Sequence, residues 1–161
     1  MLFRSNAVWL AEQGWQATAV DFSDVAVTKA EEMAAARGVS ISTAVADVTG
    51  DLTGIVTPGS FDLVILAYLQ LPAPDRAAAL ANAVAALAPG GTLLEIAHDS
   101  ANLDGGYGGP QDPSVLASPE AVAALLTGLV VERAETVGRP VETPEGPRTA
   151  IDHVVRARRP V

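Results

Sequence analysis

Cysteine is absent from this 161-residue sequence. Its absence excludes disulfides, thiolate metal ligands and a cysteine nucleophile. The two histidines, His98 and His153, lie far apart in the sequence and show no paired-ligand spacing. Because zinc-type sites need three or four nitrogen, sulfur or oxygen ligands at characteristic spacings, we predict no metal site.

Long apolar runs and basic residues are also scarce. No apolar stretch approaches the ~20 residues that cross a bilayer, and the first residues lack the apolar core of a signal peptide, so we expect a soluble cytoplasmic protein without a membrane partner. Lysine and arginine total 10 against 19 acidic residues, a net charge of -9. Nucleic-acid binding needs clustered basic residues. Small molecules are therefore the expected partners, and no pattern specifies an oligomeric state.

Helical and strand patterns alternate along most of the chain. Aromatic residues make up only 4% of a sequence that is 49% hydrophobic, so the core must consist mainly of Ala, Val and Leu. The predicted elements are helices over 6–13, 24–37, 73–88 and 118–127 and strands over 15–21, 39–47, 61–67, 92–98, 129–141 and 149–159. Alternation indicates an α/β fold with a mostly parallel sheet and helices on both faces. The last two strands predict a C-terminal antiparallel β-hairpin.

Four segments, taken in order, resemble class I S-adenosyl-L-methionine-dependent methyltransferases. They are "AVDFS" and "ADV", the run "FDLVILAYLQLP" followed by a helix and "LAPGGTLLEIAH", and the terminal hairpin. Each segment is weak alone, whereas the ordered set is fairly specific. Within the superfamily the sequence is most similar to small bacterial enzymes of the tellurite-resistance type, and its single lysine among ten basic residues suggests a GC-rich bacterial genome.

The resemblance implies a Rossmann-like fold in one domain over residues 1–161, but the family's GxGxG loop is not in the sequence. The likeness begins at Asn6, inside the helix that follows that loop. We therefore expect a chain truncated at its N-terminus, without the family's first strand, which the resemblance places between its second and fourth strands. Residues 1–5 are expected to be non-native or a short arm. Such a fragment is expected to bind the cofactor poorly.

Five residues are the cofactor-binding candidates that the resemblance implies: Asp21, Phe22, Asp47, Val48 and Ala67. Asp21 corresponds to the carboxylate that accepts the ribose hydroxyls; its alternative role is a charge before the next helix. Phe22 is expected either to stack on adenine or to pack in the core. Asp47 and the Val48 amide correspond to the adenine contacts, although an aspartate there also fixes its own turn. Ala67 leaves room beside the methionine and sulfonium.

Four further residues are candidates for facing the methyl acceptor: Tyr68, Gln70, His98 and Tyr107. His98 suits a general base or a structural hydrogen bond. Tyr107 is the one aromatic residue of a Gly-, Asp- and Pro-rich loop over 99–117, which predicts a lid or a flexible surface loop. Asp152 and His153 are adjacent in a strand, so their side chains face opposite ways and His153 is expected to be structural.

The expected activity is methyl transfer from S-adenosyl-L-methionine to a small-molecule acceptor. Holding the acceptor, methyl group and sulfur in line is sufficient catalysis in principle, so we assign no catalytic residue. Two alternatives remain open. The first is a non-catalytic or degenerate relative. The second is an NAD(P)-dependent Rossmann oxidoreductase, in which Asp21 also suits a ribose; the absence of a glycine fingerprint disfavours it.

Overall fold

The computed structural model describes residues 3–161. The chain divides into two compact units, Met1–Val56 and Thr57–Val161, and each contains its own sheet. Of the expected N-terminal arm, residues 1 and 2 lie outside the described residues, and residues 3–5 belong to the first helix. None of the helices described is long and apolar enough to cross a membrane.

The first unit is a parallel strand pair with two helices. Its elements are α1 (Phe3–Glu12), β1 (Thr18–Asp21), α2 (Asp24–Ala36) and β2 (Ser42–Val45). Thr18 of β1 lies opposite Ser42 of β2. Gly14 and Gly38 follow the two helices with φ angles of 88° and 68°, the left-handed conformation in which glycine ends helices without a Cβ penalty. Ser23 caps α2 by accepting a hydrogen bond from the Ala26 amide.

The second unit is a four-stranded sheet in the order β3-β4-β6-β5. Its elements are β3 (Phe61–Ala67), α3 (Ala73–Ala86), β4 (Leu87–His98), the 3₁₀ turns Ser100–Asp104 and Pro113–Val115, α4 (Pro119–Ala123), β5 (Val130–Thr143) and β6 (Gly146–Arg158). β3 runs parallel to β4, and the other pairs are antiparallel. The core joins one sheet face to α3 and α4, with Leu80, Leu93, Val122 and Val155 almost fully buried.

The predicted α/β class and the C-terminal hairpin are confirmed, with the described strands arranged in two sheets. Two details were wrong. The predicted hairpin loop over 142–148 shrinks to the two residues between Thr143 and Gly146, because the strands extend further. The helix predicted over 118–127 is shorter, because α4 ends at Ala123.

The segment Pro89-Gly90-Gly91, predicted to separate a helix from a strand, lies inside β4. β4 begins at Leu87, opposite Phe61, and a register shift between Phe61 and Leu63 accommodates the extra residues. A Cβ at Gly91 would lie 2.8 Å from the Phe61 carbonyl oxygen. Glycine is needed there because the backbone of β3 approaches so closely.

Candidate functional site

The carboxyl end of β1 presents a carboxylate followed by an exposed aromatic ring. Asp21 is the last residue of β1, and its Oδ1 accepts a hydrogen bond of 2.9 Å from the Ser23 amide. Because Ser23 caps α2, Asp21 is not the helix cap. The next residue, Phe22, is 78% exposed, which excludes the core-packing interpretation. A ring left in solvent beside a carboxylate fits a nucleoside, which offers a flat base and a ribose diol.

Asp47 fixes its own turn, as one of the two interpretations predicted. Its Oδ1 accepts hydrogen bonds from the Thr49 amide at 2.9 Å and the Thr49 hydroxyl at 2.8 Å. The hydrogen bond from the Thr49 amide, followed by the hydrogen bond from the Thr49 hydroxyl, lowers the pKa of Asp47. β2 ends at Val45, two residues earlier than predicted, so Asp47 and Val48 lie in the loop that follows the strand.

Tyr68 follows β3 in a strained backbone conformation. Its φ of 55° is the one positive value among the described residues other than glycine. A left-handed residue with a Cβ costs roughly 1–2 kcal/mol, and such strain concentrates at functional sites. The Tyr68 amide donates to the Ile96 carbonyl at 2.6 Å, and its hydroxyl donates to Oδ2 of Asp152 at 2.7 Å. Burial, followed by the hydrogen bond to Asp152, raises the pKa of Tyr68. Ala67 beside it is buried.

Asp152 is the centre of a polar cluster at this edge of the sheet. The antiparallel register places Asp152 opposite His98, and Nδ1 of His98 lies 3.0 Å from Oδ1 of Asp152. Neither of these two atoms has a hydrogen-bond partner among the described residues. Arg139 Nε donates to Oδ2 of Asp152 at 2.6 Å. We call Tyr68, His98, Arg139 and Asp152 the Asp152 cluster.

The Tyr68 ring of the Asp152 cluster also contacts the His98 ring and the Arg139 guanidinium. The Tyr68 and His98 ring centroids are 5.2 Å apart and tilted by 58°. The Arg139 guanidinium carbon lies 5.6 Å from the centre of the Tyr68 ring, within the range of a cation–π contact. The hydrogen bond to Asp152 raises the pKa of Arg139, so the guanidinium stays charged. The cluster therefore contains one fixed cation and one buried carboxylate.

Sequence reasoning found His98 and Tyr68 but missed Asp152 and Arg139. The alternation of β6 correctly placed Asp152 on the face opposite His153. The partner of Asp152 depends on the register between β4 and β6, which no local pattern encodes. An acidic residue within an alternating strand was the signal available in the sequence.

The loop after β4 is tied to the sheet beside the Asp152 cluster. The buried amide of Asn102 accepts from the Ile151 backbone at 2.7 Å and donates to the Gly108 carbonyl at 2.7 Å. A Cβ at Gly109 would lie 2.8 Å from the His98 ring, so this loop packs directly on the imidazole. Tyr107 is 42% exposed, and its amide donates to the Thr149 carbonyl at 2.9 Å. The loop is thus hydrogen-bonded in place rather than free.

Gln70 is the remaining acceptor-facing candidate. Its side-chain nitrogen is buried and has no hydrogen-bond partner in the described part of the chain. An unpaired buried donor is costly, so the Gln70 amide still lacks the partner that burial requires.

His153 pairs with a different carboxylate on the opposite sheet face. Its Nε2 lies 2.6 Å from Oε2 of Glu95, and both side chains are buried. Arg76 of α3 donates to the Leu71 and Leu116 carbonyls at 2.8 and 3.1 Å, and burial lowers its pKa while Glu95 acts in the opposite sense. The pair of His153 and Glu95 lies inside the core, which fits the structural role predicted for His153.

The family model for the methyltransferase domain matches residues 5–91, more than half of the chain. The chain belongs to the methyltransferase domain family. S-adenosyl-L-methionine-dependent methyl transfer is accordingly the reaction of this methyltransferase domain, with S-adenosyl-L-methionine as the cofactor. The oxidoreductase alternative has no support among the similar proteins. None of the curated proteins matches the sequence.

Solved structures share the fold of this methyltransferase domain. TehB from Haemophilus influenzae has a TM-score of 0.75 at 17% identity, over 96% of this chain and 53% of TehB. A SAM-dependent methyltransferase from Methanosarcina mazei has a TM-score of 0.72 at 16% identity, over 96% of this chain and 86% of that protein. The N-methyltransferase NodS from Bradyrhizobium japonicum WM9 has a TM-score of 0.63 at 24% identity, over 91% of this chain and 74% of NodS. Identities this low show the fold alone.

Proposed function

We propose that this methyltransferase domain methylates a small-molecule acceptor and holds the nucleoside part of S-adenosyl-L-methionine at the carboxyl ends of β1 and β2. The observation that carries the proposal is the exposed Phe22 ring directly after Asp21. Open α/β sheets bind ligands at the carboxyl ends of their strands. The cofactor, when bound, supplies a methyl group activated by a sulfonium.

In this proposal Asp21 accepts the ribose hydroxyls through Oδ2. Oδ1 is already occupied by the Ser23 amide, whereas Oδ2 has no partner among the described residues. Phe22 stacks on the adenine ring, because an exposed aromatic side chain gains most by covering a flat base. Asp47 and the Val48 amide lie in the neighbouring loop and bind the adenine edge. The turn of Asp47 uses Oδ1, which leaves Oδ2 for the adenine amino group.

In the second unit we assign Ala67 to the cofactor and the side chains beyond it to the acceptor. The small, buried Ala67 side chain leaves room for a methionine chain. Tyr68, Gln70, His98 and Tyr107 face the acceptor in this proposal, which is supported by the orphaned donor of Gln70 and by the polar groups around Asp152. A net charge of -9 supports a small molecule over a nucleic acid. We place this activity in the cytoplasm, where the methyl donor is made.

Titration of the ¹⁵N-labelled chain with S-adenosyl-L-homocysteine tests the nucleoside site. The expected result is amide shifts concentrated at residues 21, 22 and 48 and a smaller response in the second unit. Removing the ring with Phe22→Ala is expected to weaken binding about tenfold or more, since stacking on a base contributes ~1–3 kcal/mol. Asp21→Asn should weaken binding by a similar factor, because a hydrogen bond to a charged group contributes ~1.5–3 kcal/mol.

Val25→Ala is the matched control for the Phe22 variant. Val25 lies at the start of α2 and is also exposed, yet it has no part in the proposed site, so its variant should bind as the wild type does. Shifts that avoid the ends of β1 and β2, or equal affinity of the Phe22→Ala and Val25→Ala variants, would refute the proposed nucleoside site.

A further inference from the structure

His98 and Asp152 form a histidine–carboxylate pair with one accessible nitrogen. Asp152 is only 2% exposed at its side chain, whereas His98 is 12% exposed. Nδ1 of His98 is buried against Asp152. Nε2 has no hydrogen-bond partner in the described chain, yet it is not among the buried polar atoms without a partner. The second nitrogen of the ring is therefore not fully buried, although Gly109 packs on the same ring.

The hydrogen bonds around Asp152 determine which nitrogen carries the proton. Tyr68 and Arg139 both donate to Oδ2, so Oδ1 is the oxygen left for His98. An ionised carboxylate only accepts hydrogen bonds, and the nearest group to Oδ1 is Nδ1 at 3.0 Å. We therefore assign the proton to Nδ1, which leaves a lone pair on Nε2. Catalytic hydrogen bonds are often long or poorly aligned without ligand and tighten when the ligand binds.

We propose that His98 is the general base of the methyl transfer, that Asp152 is its positioning residue, and that the acceptor therefore reacts through a hydroxyl group. This inference rests on the proposed function and names the chemical class of its acceptor. A carboxylate that holds an imidazole in one tautomer is the arrangement by which enzymes activate hydroxyl nucleophiles. Here the sheet register produces that arrangement at the edge where open α/β sheets bind ligands.

The proposed step balances without any further reagent. Nε2 of His98 takes the hydroxyl proton as the oxygen forms its bond to the methyl carbon. The carbon–sulfur bond breaks, and its electron pair stays on sulfur, which becomes a neutral thioether. The imidazolium, stabilised by Asp152, then passes its proton to water. A thiol needs no such base, since a thiolate is already populated near neutral pH; a hydroxyl needs one, and a base is what the cluster provides.

The tautomer of His98 is the first test, and it requires no cofactor and no turnover. Two-dimensional ¹H–¹⁵N spectra of the imidazoles of the full chain distinguish a protonated Nδ1 from a protonated Nε2. We expect His98 to carry its proton on Nδ1 and to lose this preference in Asp152→Asn. His153 is the internal control, since it contacts Glu95 and its signals should not change in that variant. A wild-type His98 protonated on Nε2 would overturn the proposal.

Phenol, aniline and benzenethiol share one ring and differ in the reacting atom, so they test the acceptor class. Adding phenol to the labelled chain should move the His98 Nε2 resonance as that atom accepts a hydrogen bond, and Asp152→Asn should reduce the shift. In methyl-transfer assays His98→Gln should lower kcat with phenol about a hundredfold or more and lower kcat with benzenethiol much less. Free imidazole should partly restore phenol methylation by His98→Ala.

Two outcomes would contradict the general-base assignment: phenol leaves the Nε2 resonance in place, whether or not aniline moves it, or His98→Gln methylates phenol at the wild-type rate. The spectroscopic results decide the proposal even for a chain that shows no turnover. Failure of the proposed function appears elsewhere, as absent shifts at residues 21, 22 and 48 with S-adenosyl-L-homocysteine. The two failures are therefore distinguishable.

Discussion

The same two strands, β4 and β6, hold two histidine–carboxylate pairs, one on each face of the sheet. His153 and Glu95 lie on the face that packs against α3 and the core. His98 and Asp152 lie on the opposite face, where β4 ends. The two pairs also use different ring nitrogens. In His153, Nε2 contacts Glu95 and Nδ1 is buried. In His98, Nδ1 contacts Asp152 and Nε2 is not fully buried.

This difference shows that a histidine–carboxylate pair is defined by its surroundings rather than by its two residues. In the Glu95 pair, we assign the proton to Nε2, and the buried Nδ1 is left as an unpaired acceptor. No ligand can reach either nitrogen, so the pair can serve only the fold. In the Asp152 pair the second nitrogen is available, and the carboxylate is already held by Tyr68 and Arg139. Only this pair can exchange a proton with a substrate.

The largest expected effect comes from breaking the core pair. His153→Ala leaves the buried Glu95 carboxylate without its hydrogen-bond partner, and an unsatisfied buried group typically costs ~1–3 kcal/mol, and more when it is charged. Urea unfolding of the full chain measures the loss. His98→Ala is the matched control and should cost roughly 1 kcal/mol, because Asp152 keeps the hydrogen bonds from Tyr68 and Arg139. Equal losses for the two alanine variants would remove the distinction between the pairs.

Alanine substitutions at two neighbouring glycines distinguish the effect of backbone strain from the effect of contact with the His98 ring. Gly108 and Gly109 have φ angles of 71° and 75°, so alanine at either position costs roughly 1–2 kcal/mol of backbone strain. Only a Cβ at Gly109 meets the His98 ring; at Gly108 nothing lies within 4 Å. We expect Gly109→Ala to shift the His98 ring signals and Gly108→Ala to leave them in place, with His153 unchanged in both. Nuclear magnetic resonance of the imidazole C–H groups measures this, and matching His98 shifts in the two variants would contradict the packing described.

The smallest expected effect is a pH dependence at Tyr68. Its pKa is raised above the ordinary value of 10.0 by burial and by Asp152, so the folded state favours the neutral phenol. The resulting stabilisation is present below about pH 10 and is lost as pH rises through the higher pKa of the folded state. Absorbance near 295 nm should show a delayed phenolate transition, lost in Tyr68→Phe and kept in Tyr107→Phe. If the delayed transition survives in Tyr68→Phe, it does not belong to Tyr68 and the prediction is wrong.

Local features of the fold were readable from the sequence. The helices over 6–13 and 24–37 and the strand that ends at Asp21 are confirmed, because the Ser23 cap and the glycines that bound the helices depend on a few adjacent residues. The path of β4 through Pro89-Gly90-Gly91 was not readable. Pairing with β3 overrides the local turn signal there, and such tertiary pairing is not encoded within a short window.

The candidate site divides in the same way. Asp21, Asp47, Tyr68 and His98 were identified because each follows or ends an apolar strand. The partner of His98 was not identified, since it depends on the alignment of β4 with a strand more than fifty residues later. The exposure of Phe22 was also undecided, because an aromatic residue after a strand suits either a core or a ligand. Burial is a property of the whole fold and resolves such cases only after folding.

The close connection between β5 and β6 has a consequence for the order in which the Asp152 cluster assembles. Arg139 and Asp152 are 13 residues apart, across a two-residue turn, whereas the Tyr68 partner of Asp152 is 84 residues away. β-Hairpins form in about 1–10 μs, and contacts distant in sequence are slower to form. During folding we expect Arg139 to neutralise the Asp152 carboxylate first, so that Tyr68 and His98 dock onto a charge that is already compensated.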